Sequence, residues 1–266
     1  MIELVVAGAA GRMGGRIIAL ARESADFRVV AALERPGHPA VGRDAGELAG
    51  AGALGVPVTS DAAPALVRDR VLVEFTAPEP TLEHLRIAAA HGARAVIGTT
   101  GLAEAQQEEL RTLARRTAVV FSPNMSVGVN LAFRVLALMA RALGDDYDVE
   151  ITEIHHRMKK DAPSGTAARM AEVIAEALGR DLGEVGVYGR HGLVGERGPK
   201  EVGIHALRGG DVVGEHTVVF SALGERLELT HRAHSRDTFA RGALRAIRFV
   251  AGVQPGLYSM HDVLML

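Results

Sequence analysis

The 266-residue chain predicts an α/β protein in two parts: an N-terminal Rossmann-like, doubly wound parallel sheet, then an α+β domain with an open mixed sheet. Three observations carry this. The chain opens as an apolar strand, a glycine turn and an amphipathic helix; short apolar runs then alternate with helical patterns as far as Phe121; and beyond Asn124 the strands lengthen and alternate with period two.

Ile2 to Ala7 is an apolar strand ending at Gly8, and Met13, Ile17, Ile18 and Leu20 recur at helical spacing behind it. A second strand, Val29 to Leu33, ends in Glu34 and Arg35, completing a βαβ opening. The alternation continues with Val71 to Val73 before FTAP, a helix over Leu82 to Ala90, Ala93 to Ile97 before GTTG, a helix over Ala103 to Ala114, and Ala118 to Phe121 before SPN. Next come a long apolar helix, Asn130 to Leu143, an alternating strand, Tyr147 to Ile154, and a helix from Ser164 to Leu178. Residues 179–199 are glycine-rich and read as a mobile loop. Alternating segments over Glu201 to Leu207, His216 to Ala222 and Glu225 to His231, with a turn at Gly224, suit an antiparallel or mixed sheet with one wet face. A last helix covers Thr238 to Val250. The expected division is a dinucleotide-binding domain over 1–126, to which the C-terminal residues 236–266 return, and a substrate-binding and oligomerisation domain over 127–235.

Composition narrows the function. A net charge of −2 with both signs scattered offers no basic face for a phosphate backbone, so nucleic acid is not an expected partner. No uninterrupted apolar run reaches the roughly 18–20 residues of a membrane span, and the apolar start lacks a basic leader. A soluble cytoplasmic protein without a membrane partner is expected. There is no cysteine, which removes disulfides, thiolate nucleophiles and thiolate metal sites.

GAAGRMG, comprising Gly8, Ala9, Ala10, Gly11, Arg12, Met13 and Gly14, lies where a strand turns into a helix. A backbone that turns tightly there lets a pyrophosphate approach the helix N-terminus, whose N–H groups and dipole favour an anion. Ala10 replaces the second glycine of the usual fingerprint, but Glu34, 20 residues past Gly14, is placed to accept hydrogen bonds from an adenosine ribose. Arg35 beside it could pair with a 2′-phosphate, so NADH and NADPH both remain open. Gly98, Thr99 and Thr100, and Ser122, Pro123, Asn124 and Met125, fall at later strand ends where such sheets bind ligands.

HHRMKKDAPSGTA supplies the second constellation. The chain holds only three lysines, and two of them, Lys159 and Lys160, follow His155, His156 and Arg157 directly. Ser164 fits a helix N-cap, with Gly165 and Thr166 placing N–H groups in the first turn. Cationic groups at a helix N-terminus favour a small polyanion, and a dicarboxylate in particular. Histidine and lysine can move protons near neutral pH, whereas an arginine, with a pKa above ~12, holds its proton. Zinc is not expected, because His155 and His156 would point to opposite sides of a strand and no partner stands at helical spacing. His231 and His234 read as structural or rim residues.

With these pieces placed, the chain resembles the 4-hydroxy-tetrahydrodipicolinate (dihydrodipicolinate) reductase family over essentially its full length. The resemblance rests on GAAGRMG, FTAPEPTLEHL, HGARAVIGTTGL, SPNMSVGVN, HHRMKKDAPSGTA, RGGDVVGEHTVVF and GLYSMHDVL. It implies hydride transfer from NADH or NADPH to a cyclic imine dicarboxylate in lysine and diaminopimelate biosynthesis. It further implies His155 as a catalytic proton donor or acceptor, Lys159 as proton donor, His156, Ser164, Gly165 and Thr166 at the substrate carboxylates, and a homotetramer. Lys160 matches an open position of the motif. The alternatives are a related amino-acid or diamine dehydrogenase and a non-catalytic nucleotide-sensing protein.

Overall fold

In the computed structural model all 266 residues are described, and the chain divides into two compact units, 1–127 with 236–266, and 128–235.

The first unit is built on β1 (Ile2–Ala7), α1 (Arg12–Arg22), β2 (Phe27–Leu33), α2 (Ala45–Leu48), β3 (Val58–Thr59), β4 (Val71–Glu74), α3 (Pro78–His91), β5 (Arg94–Ile97), α4 (Glu104–Ala114) and β6 (Ala118–Phe121). Its seven strands run parallel in the order β12-β6-β5-β4-β1-β2-β3, where β12 is Gly256–Tyr258 near the C-terminus. Parallel strands covered on both faces must be apolar throughout, and every residue of Val71–Glu74 is buried, the single charge being Glu74. Alternate residues feed two cores. Leu4, Val6, Val73, Val96 and Val120 pack with Ile17, Ile18, Ala243 and Ile247 on one face; Val5, Ala7, Leu72, Ile97 and Val119 pack with Leu85 and Leu110 on the other. α8 (Asp237–Val250) thus serves the first core, fastened to α1 by a two-pronged bond from Arg16 to Asp237 at 2.8 Å.

The second unit holds most of α5 (Val127–Leu143), then β7 (Asp148–His155), α6 (Gly165–Ala177), α7 (Leu182–Val185), β8 (Gly186–Tyr188), β9 (Val202–Arg208), β10 (Gly214–Ala222) and β11 (Glu225–Ala233). Its sheet has the order β11-β10-β7-β9-β8; β10 is antiparallel to both neighbours, whereas β7, β9 and β8 are parallel. The mixed sheet therefore stands. Val149, Ile151, Val202, Val218 and Phe220 line one face and pack against Phe133 and Leu136 of α5 and Met170 and Ile174 of α6.

Two expectations change, and four short elements are added. Residues 179–199 do not form one mobile loop: they contain α7 and β8 and are pinned by arginines. Arg190 forks onto Glu150 at 3.0 Å and reaches Glu201 at 2.8 Å; Arg197 donates to Glu150 at 2.9 Å, Asp148 at 2.6 Å and three backbone carbonyls. A glycine-rich sequence hides this because the anchors lie on distant strands. The short elements α2, β3, β12 and α9 (Met260–Leu264) were below the length at which periodicity speaks. Finally, Val127–Asp146 is, at 20 residues and mean hydropathy 1.5, long and apolar enough to cross a membrane, although polar residues break its apolar run. Arg134 and Arg141 interrupt it, and one face of it, with Phe133, Leu136 and Ala140, packs in the second core.

Candidate active site

The glycine turn of the first unit has the backbone its sequence requires. Gly8 sits at φ +67°, where a Cβ would come within 3.0 Å of Thr76, and a Cβ on Gly14 would lie 2.2 Å from the Gly8 carbonyl. Helix α1 thus meets the turn more closely than any larger residue allows. Gly11 is its N-cap and supplies no side-chain cap, so the first-turn N–H groups of Arg12 and Met13 have no side-chain acceptor from the cap. Glu34, at the end of β2, accepts from the Ala10 N–H at 3.0 Å and from the Arg35 N–H at 3.3 Å. Arg35 is exposed. Beside these lies a cavity of about 440 Å³ lined by Gly8, Glu34, Arg35, Asp61, Thr76 and His84, among others. A turn with no room for side chains, an uncapped helix end, a ribose-reach carboxylate and an adjoining cavity fit a dinucleotide.

Other expected cofactor residues divide by the direction of their side chains. Thr100 and Pro123 are exposed, but Thr99 is buried, its hydroxyl 2.8 Å from that of Thr81 and accepting from the Thr76 N–H at 3.3 Å. Thr99 therefore braces the FTAP turn. Ser122 donates to the Asn124 carbonyl at 2.8 Å, Asn124 accepts from the Ser126 N–H at 2.9 Å, and Met125 is buried in the first core. Gly98 leaves room for the Phe75 ring, which a Cβ there would meet at 2.0 Å. Their side chains shape the strand ends, which leaves chiefly backbone for a ligand. Beneath them, unforeseen from the sequence, the wholly buried Glu74 accepts from His84 Nδ1 at 2.7 Å and from the Thr76 hydroxyl. Burial pulls the His84 pKa down, but the bond and charge of Glu74 outweigh it and the net shift is upward.

In the second unit, β7 delivers His155 at its end, and α6 starts nine residues later with Ser164 as N-cap, accepting from the Ala167 N–H at 3.2 Å. A Cβ on Gly165 would meet nothing within 4 Å, so the front of this helix end is open. Lys159 Nζ is held between the Asp161 carboxylate oxygens at 2.9 and 2.7 Å. His156 is half-buried and its carbonyl accepts from the Lys159 N–H at 3.1 Å, while Lys160 is exposed.

Three partners outside the HHRMKKDAPSGTA motif complete this site. Glu153, two residues before His155 and hence on the same face of β7, is fully buried. It accepts from His155 Nδ1 at 2.6 Å, from Arg208 at 2.8 and 2.9 Å, and from the Ser164 N–H at 3.0 Å. Burial would raise the Glu153 pKa, but these donors overcome it and hold the carboxylate below its ordinary value. His216, on β10, stands edge-on to His155 with ring centroids 5.1 Å apart, and its Nε2 is 3.0 Å from the Ser164 hydroxyl. Burial, with the neighbouring His155, pushes His216 down to about 4, so it is neutral in ordinary conditions. The i, i+2 phase of Glu153 with His155 was readable; the arrival of Arg208 and His216 needs the strand order β10-β7-β9.

A parallel sheet with a dinucleotide turn, and a histidine–lysine cradle at an open helix N-terminus, define a two-domain NAD(P)H-dependent reductase. Comparison with known proteins narrows the class. The dihydrodipicolinate reductase N-terminus model matches residues 2–125 and the C-terminus model matches residues 128–264. Curated relatives include a 4-hydroxy-tetrahydrodipicolinate reductase of Syntrophus aciditrophicus, 53% identical over 99% of this chain and 98% of that protein, and one of Geobacter sulfurreducens, 53% identical over the whole of both. Among solved structures, dipicolinate-bound dihydrodipicolinate reductase from Paenisporosarcina sp. TG-14 aligns over 100% of both chains with a TM-score of 0.79 and 25% identity. The amine dehydrogenase of Mycobacterium smegmatis, at 17% identity and a TM-score of 0.60, shares the fold. The chain belongs to the dihydrodipicolinate reductase family.

Proposed function

We propose that His155 and Lys159 carry the proton chemistry of an NAD(P)H-dependent reduction of 4-hydroxy-tetrahydrodipicolinate to tetrahydrodipicolinate, with loss of water, in lysine and diaminopimelate biosynthesis. The observation that carries this is that Glu153 joins His155 to the first turn of α6 while Arg208 joins that carboxylate to the Asp161 backbone beside Lys159, all in one unit. When bound, the nicotinamide supplies the hydride. Gly8 to Met13 hold the pyrophosphate with backbone N–H groups, Glu34 accepts from the ribose, Arg35 stands ready for a 2′-phosphate, and Gly98 to Thr100 and Ser122 to Met125 frame the remainder chiefly through backbone. Ser164, Gly165 and Thr166, with His156, receive the carboxylates. Lys159 offers a proton from an ammonium already oriented by Asp161, and His155 exchanges one at Nε2, its Nδ1–H being committed to Glu153.

In this reading residues 1–126 with 236–266 serve the dinucleotide, and residues 127–235 serve the substrate and assembly into a cytoplasmic homotetramer. Exposed Tyr188, Leu207 and Leu227 on the strands of the second sheet are consistent with an assembly surface there. Dipicolinate, the dicarboxylate bound by the Paenisporosarcina reductase, provides the test. Titration in the presence of NADH is expected to show binding to the wild-type protein and at least ~10-fold weaker binding to Lys159→Ala, about 1.4 kcal/mol. Equal affinity for both proteins would remove Lys159 from the site.

A further inference from the structure

We propose that Glu153 is the positioning residue of the reaction site: one ionised carboxylate that fixes which nitrogen of His155 exchanges protons and ties that histidine to the first turn of α6. The inference rests on the role given to His155 above. It starts from an inventory of donors. Glu153 Oε2 accepts from His155 Nδ1 and Arg208 Nη1, and Oε1 accepts from Arg208 Nη2 and the Ser164 N–H. The two Arg208 N–H groups and the Ser164 N–H can only donate, so they fill three of the roughly four acceptor positions of a carboxylate, and the fourth faces His155 Nδ1. Three donor-only N–H groups, two of them from a guanidinium, favour the anion, and an anion draws the His155 N–H to Nδ1. Nε2 is the nitrogen left for chemistry.

The surroundings support the same arrangement. A Cβ on Gly214 would lie 2.8 Å from His155 Nε2, so only glycine at that position of β10 lets the ring stand where Glu153 holds it. Arg208 also donates to the Asp161 carbonyl at 2.6 Å, adjoining the loop that carries Lys159. The proton-exchanging histidine, the lysine loop and the carboxylate-binding turn are thus referred to one buried anion. His155 is bonded to Glu153, which Arg208 shares, and stands edge-on to His216, on which Glu153, His231 and Lys159 also act; of the histidines only His155 is bonded to the carboxylate.

Glu153→Gln is isosteric and separates positioning from packing. A glutamine can still accept from Arg208 and the Ser164 N–H through its oxygen, but its NH2 then faces His155 Nδ1, which must accept and move its proton to Nε2. Two readouts follow on the full-length protein. In ¹⁵N-histidine NMR at mildly alkaline pH, with the His155 signal assigned by its loss in His155→Gln, the wild type is expected to show the Nδ1–H tautomer and Glu153→Gln the Nε2–H tautomer. The turnover number of Glu153→Gln is expected to fall roughly 10²-fold, as for loss of a general acid–base group, with NADH affinity unchanged. Glu153→Asp, which keeps the charge but is shorter, is expected to retain the Nδ1–H tautomer and more activity than the isosteric glutamine; a purely structural role reverses that order. If Glu153→Gln does not fold, Arg208→Gln gives the second reading, with mixed tautomers and reduced turnover expected because the carboxylate loses its clamp. A wild-type tautomer with wild-type turnover in either variant would overturn the proposal. The control is separate: normal turnover in His155→Gln would refute the catalytic role of His155 while leaving the tautomer measurement to judge Glu153.

Discussion

Single residues divide into those that chemistry demands and those that hold them. His155→Gln is expected to lower kcat by roughly 10²-fold and Lys159→Ala by more, within the range of acid–base groups, and steady-state kinetics decide both. His216 gives a pH dependence. Its ordinary pKa of 6.5 falls to about 4 in the folded protein. Above the ordinary value both states are neutral and the shift contributes nothing; as pH falls toward 4 the unfolded chain takes up a proton that the folded one refuses, so stability is lost across that window by about 3 kcal/mol in total. Urea unfolding at neutral pH and at about pH 5 should therefore show a smaller acid loss for His216→Gln than for the wild type. Equal losses would contradict the burial argument. At this scale the sequence was informative for residue type and poor for partners: the histidine and lysine of HHRMKK could be picked out, and Glu153 shares the strand and face of His155, but Arg208 and His216 come from two neighbouring strands whose adjacency no local pattern encodes.

Among elements, turns and helix ends carry the function. Gly14→Ala would drive a methyl against the Gly8 carbonyl, a backbone atom that cannot swing away. The expected result is a destabilisation of about 1–3 kcal/mol together with weaker NADH binding, read by thermal unfolding and fluorescence titration. The 179–199 segment makes a complementary point. Its glycines predicted mobility, yet Arg190 and Arg197 reach Glu150, whose pKa they and His205 draw down to about 2 against the opposing effect of burial. Arg197→Ala should release it, raising the rate of limited proteolysis within 189–199 several-fold without loss of the core. An unchanged cleavage rate would mean that the segment is held by other contacts. Long, strongly periodic elements were legible to within a few residues; β3, β8 and β12, of two or three residues each, owe their existence to a neighbouring strand rather than to their own pattern.

Across the whole molecule, the proposed function divides two tasks between two cores. Gly8 to Met13 and Glu34 belong to a unit that the C-terminal α8, β12 and α9 complete, whereas His155, Lys159 and Ser164 belong to the other. The alternation of strand and helix made the first unit readable, and the change to period two made the second. The return of residues 236–266 to the first unit is an expectation of the sequence, and α8 places Ala240, Ala243 and Ile247 in the first core. The separation predicts that His155→Gln and Lys159→Ala keep wild-type affinity for NADH even as turnover fails. The most direct measurement of the whole account is oxidation of NADH and NADPH followed by absorbance, with substrate generated in situ from pyruvate and aspartate semialdehyde by the preceding synthase. Rapid consumption that dipicolinate blocks is the predicted result, and the two rates give the cofactor preference. Tight NADH binding with no consumption would contradict the assignment.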